Sequence, residues 1–331
     1  HDWRTTMIAR LGLALIFSLI AAATANPQTR RMAVAYSAIS GTQTAFYLAA
    51  DAGLFDKHDL HVDPVYVASG TKVTQAMLAG EFPVALAGGI VVNAILAGSD
   101  LVFIGGVVNV PAFYLIVQPS IKKPEDLRGK ALGVTSYGSS TDFTVRYLLK
   151  KWGVEPDKDV KILQMGGQPE ILAGLMAGAI NGGVFTSPGE YRARKAGNVI
   201  IADFSKIGLD YPTVSLVSTR AFIKKEPATI RRFLMGYSDG VERMFRDKEL
   251  AMKIISKYTR NTDREVLEAT YTYATNFVER PPRPPVKAVE TILEQTAVTN
   301  PKAKGRRAEE FVDPSFYNEL EKSGYFKSAG K

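Results

Sequence analysis

The sequence predicts an α/β protein built from two similar lobes with mostly parallel sheets, joined by two crossover strands. Three observations carry that expectation. The chain has 331 residues, enough for about two domains at roughly 150 residues each. A strand–loop–helix unit occurs twice, about 100 residues apart. Two further extended segments stand where each unit ends.

The elements follow in chain order. Residues 11–23 are the apolar run LGLALIFSLIAAA, preceded by Arg4 and Arg10 and followed by Ala23-Thr24-Ala25. A charged start, a short apolar stretch and a small-x-small end are the parts of a secretory signal, with cleavage expected after Ala25. The run is short for spanning ~30 Å of hydrocarbon. Arg31–Ser37 reads as a strand, and Thr42–Ala52 as a helix stopped by Gly53. The plan recurs at Ala131–Thr135, a strand, and Asp142–Trp152, a helix stopped by Gly153. Ser37 and Ser136 stand 99 residues apart, and Gly53 and Gly153 stand 100 apart.

The next elements repeat as well. Thr74–Ala79 ends at Gly80 and leads to the strand Val84–Ala87, while Glu170–Ala177 ends at Gly178 and leads to Gly182–Phe185. Gly80 and Gly178, Gly88 and Thr186, and Gly89 and Ser187 all share an offset of 98. Strands alternating with helices give mostly parallel sheets. Ala112–Gln118 and Thr213–Thr219 read as the two crossovers. From Pro227 the pattern is helical, broken by the stiff turn Arg280-Pro-Pro-Arg-Pro-Pro285, and this tail is expected to pack on the first lobe. The resulting division is a signal peptide at 1–25, a first lobe at 26–111 plus 219–331, and a second lobe at 112–218 that includes the crossover segments.

Composition narrows the chemistry. With no cysteine, there is no disulfide, thiolate nucleophile or lipoprotein acylation site, and the three histidines offer only the pair His58 and His61, read as solvated loop residues. No metal, cofactor or catalytic residue is expected. The formal charge of +8 is spread along the chain, its densest runs lying beside acids or turns, so it describes a solvated surface and not a nucleic-acid footprint. The positive field would still favour capture of an anionic solute.

Ligands of open α/β sheets bind beyond the carboxyl ends of strands, against helix N-termini. Those positions here are small polar loops, Ser37–Gln43 and Ser136–Thr141. The hydroxyls either cap helices only or also line a cleft between the lobes, and the matching pair of loops favours the cleft. Phe46, Asn109, Tyr114, Tyr137 and Phe185 stand near strand ends as candidate walls, with the core as the other reading for the two phenylalanines. Asp210 and Tyr211 precede the second crossover, where they either cap a cationic group or shape a turn.

The run Thr42–Leu60, with Leu78-Ala-Gly-Glu81, Lys123-Pro-Glu-Asp-Leu-Arg-Gly-Lys130, Ala131-Leu-Gly-Val134 and Leu175-Met-Ala-Gly178, resembles the nitrate/sulfonate/taurine-type (thiamine-pyrimidine-like) substrate-binding proteins over residues 30–245. The resemblance implies a type II periplasmic binding protein fold and a periplasmic, monomeric receptor that closes on a small organic solute (a sulfonate, carboxylate or pyrimidine) and delivers it to the permease subunits of an ABC importer. Carried over by position, it puts ligand contacts at Ser37, Thr42, Gln43, Gly88, Asn109, Tyr137, Ser139, Ser140, Thr141, Thr186 and Ser187, with Asp210 as a further candidate. The alternatives are a module that presents its ligand to a sensor and, less favoured, an enzyme on the same fold.

Overall fold

The computed structural model describes residues 30–329; the expected signal segment, 1–25, lies outside the described residues. The first half runs β1 (Arg30–Tyr36), α1 (Thr44–Asp51), β2 (Leu60–Tyr66), α2 (Gly70–Leu78), β3 (Val84–Ala87), α3 (Ile90–Leu96) and β4 (Leu101–Val108). The second half begins with β5 (Tyr114–Val117). It repeats the plan as β6 (Ala131–Val134), α4 (Ser140–Lys151), β7 (Lys161–Gln164), α5 (Gln168–Met176), β8 (Gly182–Phe185), α6 (Gly189–Lys195) and β9 (Val199–Asp203). Then come β10 (Val214–Thr219) and the tail, α7 (Arg220–Lys225), α8 (Pro227–Arg246), α9 (Lys248–Thr259), α10 (Arg264–Phe277), α11 (Val286–Ala297), α12 (Ser315–Lys322) and α13 (Tyr325–Ser328).

Two five-stranded sheets result, ordered β2-β1-β3-β10-β4 and β7-β6-β8-β5-β9. In each, the fourth strand is antiparallel and arrives from the other half: β10 pairs with β3 and β4, and β5 with β8 and β9. The expected boundary at 218 therefore moves. Thr213–Thr219 is not a linker of the second lobe, because β10 is hydrogen-bonded on both sides within the first sheet. The segments that cross between lobes are the short stretches before β5 and before β10, tied together by Tyr211 N–H to Asn109 O at 2.9 Å and Thr213 Oγ1–H to Val110 O at 2.6 Å.

The first sheet is buried on both faces, as a parallel sheet requires. Along β1, Met32, Val34 and Tyr36 point into one core and Ala35 into the other, the period of two expected of a strand. The tail covers both faces. Helix α8 lies on α1, with Phe233 stacked on Phe55 at 5.3 Å, and α11 puts Val289, Ile292 and Leu293 against the opposite face. His58 is not solvated as expected. Its Nε2 lies 2.9 Å from Asp239 Oδ2 and 3.3 Å from the hydroxyl of Tyr325 on α13, which docks over it.

The repeated glycines do the same job in each lobe. Gly53 and Gly153 sit at φ +66° and +67° immediately after α1 and α4, the left-handed conformation that ends a helix at little cost only in glycine.

Candidate ligand-binding site

Parallel strands with helices between them aim the helix N-termini at the gap between the two sheets. The lining of the interlobe cavity shows the result. Ser37 and Thr42 precede α1, Ser69 and Gly70 open α2, and Gly88 stands before α3. From the other lobe, Ser139 to Thr141 open α4, Gln168 opens α5 and Thr186 precedes α6. Six helix starts thus meet around a cavity of about 40 Å³. The first N–H groups of a helix lack intrahelical partners and carry partial positive charge. Among the described residues no charged side chain lines the cavity, so its polarity comes from hydroxyls, one carboxamide and the backbone.

Local hydrogen bonds fix most of these hydroxyls. Ser139 caps α4, and Thr141 Oγ1 accepts from Thr135 N–H at 3.0 Å while lying 2.9 Å from Ser139 Oγ. Gln168 spans β8, donating to Val184 O at 3.1 Å and accepting from Thr186 N–H at 3.0 Å. The Thr186 hydroxyl, in a residue only 4% exposed, finds no partner within the protein. Among the described residues it is the one lining hydroxyl that is buried without a side-chain or backbone partner. Tyr211 backs this wall, stacked on Phe143 at 4.8 Å, and burial raises its phenol far above the usual range, so it stays a neutral donor.

The lobes meet here. Ser136 Oγ–H donates to Ser69 Oγ at 2.8 Å, Thr71 Oγ1–H to Tyr137 O at 3.2 Å, and Gly41 N–H to Ser187 O at 3.0 Å. Gly88 is the tightest point. A Cβ there would come within 2.4 Å of Ser140 Oγ and 2.6 Å of Thr213 O, so only glycine lets the two lobes approach this closely.

Of the residues expected from sequence, Ser37, Thr42, Gly88, Ser139, Ser140, Thr141 and Thr186 line one cavity. Ser187 lies just behind, its hydroxyl 3.0 Å from Thr270 Oγ1. Gln43 is fully buried with both amide atoms unpartnered, though it does not line the cavity. Tyr137 is half exposed and turns its hydroxyl to Ile162 O at 3.1 Å. Asn109 and Asp210 are not brought to the cavity. They sit on the two crossing segments and line a separate 450 Å³ groove with Glu279 and Lys287, which pairs with Asp210 at 2.9 Å. Phe46 and Phe185 are core residues.

Sequence reading missed Ser69, Gly70, Phe113, Thr135, Gln168 and Thr213. The repeat held a signal for three of them: Ser69-Gly70 and Gly167-Gln168 stand at the same 98-residue offset as Gly80 and Gly178.

Comparison with known proteins agrees with the two-lobed fold. The family profile described as NMT1/THI5 like matches residues 41–251. The taurine-binding periplasmic protein of Escherichia coli (strain K12) is 29% identical over 141 residues, 42% of this chain and 43% of that protein, so the match spans less than half the length of each. Among solved structures, a protein of Bordetella bronchiseptica RB50 superposes with a TM-score of 0.78 at 20% identity, covering 89% of this chain and 98% of that one. The alkanesulfonate-binding protein SsuA of Xanthomonas axonopodis pv. citri, solved bound to MOPS, superposes with a TM-score of 0.68 at 18% identity, covering 81% and 92%. These likenesses establish the two-lobed periplasmic binding fold.

Proposed function

The chain belongs to the NMT1/THI5-like family, and from that premise we propose that it is the periplasmic solute-binding component of an ABC importer, a receptor whose two lobes close on a small organic anion, first of all a sulfonate. The observation that carries this reading is the cavity itself: six helix N-termini and a set of hydroxyls, with no acidic or basic side chain. Such a site stabilises negative charge through N–H donors and helix dipoles. A sulfonate suits it because the group stays ionised without a titrating partner. The taurine-binding relative supports the same chemistry.

Closure supplies the transport signal. One lobe offers Ser37, Thr42, Ser69 and Gly88, and the other completes the shell with Ser140, Gln168 and Thr186. A solute bridging both stabilises the closed shape that permease subunits distinguish from the open one. Thermal unfolding against taurine, methanesulfonate, nitrate, acetate and a hydroxymethylpyrimidine tests the reading. A true ligand at 100 times its Kd adds ~2.7 kcal/mol of stability. Stabilisation by sulfonates alone supports the proposal, and stabilisation only by the pyrimidine or by none of the five overturns it. Replacing Ser139 or Thr141 is a poor probe, because both also hold the start of α4.

A further inference from the structure

A second concavity adjoins the cavity, and Gln168 lines both. It is a groove of about 580 Å³, walled by Tyr36, Tyr66 and Tyr258 from the first lobe and by Leu172 from the second. Arg192 reaches it from the second lobe and Arg260 from the first, and among the described residues the lining itself holds no acidic side chain, Glu170 standing nearby beside Tyr66. The tyrosines form a continuous aromatic surface, with ring centroids 5.5 Å apart for Tyr36–Tyr66 and 6.4 Å for Tyr36–Tyr258. Burial and the nearby Glu170 push the Tyr66 phenol up to about 12, so it remains a neutral hydrogen-bond donor.

The inner cavity is too small for more than a head group. About 40 Å³ corresponds to roughly three water-sized positions, enough for a sulfonate and little else. Any larger organic part must leave the cavity, and residues neighbouring in sequence stand on the two sides of the boundary it would cross. Ala38 lines the cavity and its neighbour Ile39 the groove; Thr186 lines the cavity and Pro188 the groove.

We propose that this groove is the subsite for the body of the solute, and that the preferred ligand class is an arylsulfonate, above all one bearing a second anionic group opposite its sulfonate. The proposal rests on the sulfonate reading above. The sulfonate sits at the helix N-termini, the ring lies against Tyr36 and Tyr66, and the second anion faces Arg192 and Arg260. Offset or edge-on contact with the tyrosines, together with burial of the ring, favours an aromatic body over a methyl group.

Calorimetric titration of the full chain with methanesulfonate, benzenesulfonate and 4-sulfobenzoate tests it. Benzenesulfonate is expected to bind about tenfold tighter than methanesulfonate, and 4-sulfobenzoate tighter still. Tyr66→Ala should remove the advantage of the ring, and Arg192→Gln with Arg260→Gln that of the carboxylate, each leaving methanesulfonate affinity within about twofold. Equal affinity for methanesulfonate and benzenesulfonate, or substitutions that weaken all three ligands alike, would overturn the groove assignment while leaving the sulfonate reading intact. Failure of all three ligands to bind folded protein would overturn both.

Discussion

The hydroxyls of Ser69 and Ser136, 67 residues apart in sequence and on opposite lobes, meet at 2.8 Å inside the protein. Each stands in the loop between a strand and the following helix of its own lobe, so the bond exists only when the lobes are together. Ser69 also accepts from Lys72 N–H at 3.5 Å, as the cap of α2, and keeps that partner if Ser136 is removed. Ser136→Ala therefore subtracts one interlobe bond without stranding its mate. A hydrogen bond of this kind contributes about 0.5–1.5 kcal/mol net, so solute affinity should fall by roughly two- to tenfold. The unfolding midpoint without solute should barely move, because open lobes expose both hydroxyls to water. Calorimetric titration beside thermal unfolding checks this, and a large loss of unliganded stability with unchanged affinity contradicts it.

Helix α8 approaches α1 so closely that only glycine fits at the crossing. A Cβ on Gly240 would lie 2.4 Å from the carbonyl oxygen of Ala45 and 2.7 Å from Ala49 Cβ, both on a helix that cannot shift without moving the first sheet. Overpacking of this sort costs typically about 1–3 kcal/mol. Gly240→Ala should lower the midpoint of urea unfolding with little change in slope. Affinity measured well below that midpoint should be retained, because neither Gly240 nor the Ala45 and Ala49 it meets lines the cavity. An unchanged midpoint would mean the helices separate more easily than their packing indicates.

The two substitutions also mark what the sequence made legible. The repeat was visible because glycine at Gly53 and Gly153 answers a backbone demand that no other residue meets as cheaply, and such demands survive when side chains diverge. The helix-start hydroxyls were visible for a similar reason: Ser139 must cap α4 whatever else it does. The partnership of β10 was hidden. An extended apolar segment reads alike as a connector or as a strand, and its place between β3 and β4 depends on contacts more than 100 residues away in sequence. Asn109 and Asp210 stand at strand ends as cavity residues do, yet they face the outer side of the crossing segments, and nothing local distinguishes the two sides. Gln168 was marked only by the 98-residue repeat, because the role of its own side chain is tertiary, to tie β8 to the start of α5.

Glu279, which follows α10 and lines the groove beside Asn109 and Asp210, carries a pH signature. Burial is the largest influence on its carboxyl and raises it above the ordinary 4.5, while the Asn109 amide and the Arg283 guanidinium pull part of the way back. The native state then binds more protons than the unfolded chain between the ordinary and the raised value. By linkage, stability falls as pH rises across that interval. The contribution is complete below about 4.5 and is lost as pH climbs through the raised folded value. Glu279→Gln keeps the size and an amide partner for Asn109 but has no proton to lose. Melting profiles should coincide near pH 4 and then diverge, with the variant the more stable at neutral pH. Divergence in the opposite direction would show that the ionised carboxylate is a net stabiliser of the crossing segments.

Thr186 separates a binding role from a structural one. Its backbone N–H is satisfied by Gln168, whereas its hydroxyl lies buried against the cavity with no protein partner. A buried hydroxyl without a partner costs about 1–3 kcal/mol, and replacing it by an apolar group of the same shape removes that cost. Thr186→Val should therefore leave the unliganded protein as stable as before, or more so. If the hydroxyl donates to the anionic solute, the same substitution deletes a bond to a charged group, generally about 1.5–3 kcal/mol, and affinity drops by at least tenfold. Stability and affinity then move in opposite directions, a pattern that no purely structural threonine produces. Measuring the midpoint without solute and the Kd of the stabilising sulfonate on one preparation decides the matter. Equal Kd values for variant and parent would remove Thr186 from the ligand shell, and a lower midpoint would show that its hydroxyl serves the fold.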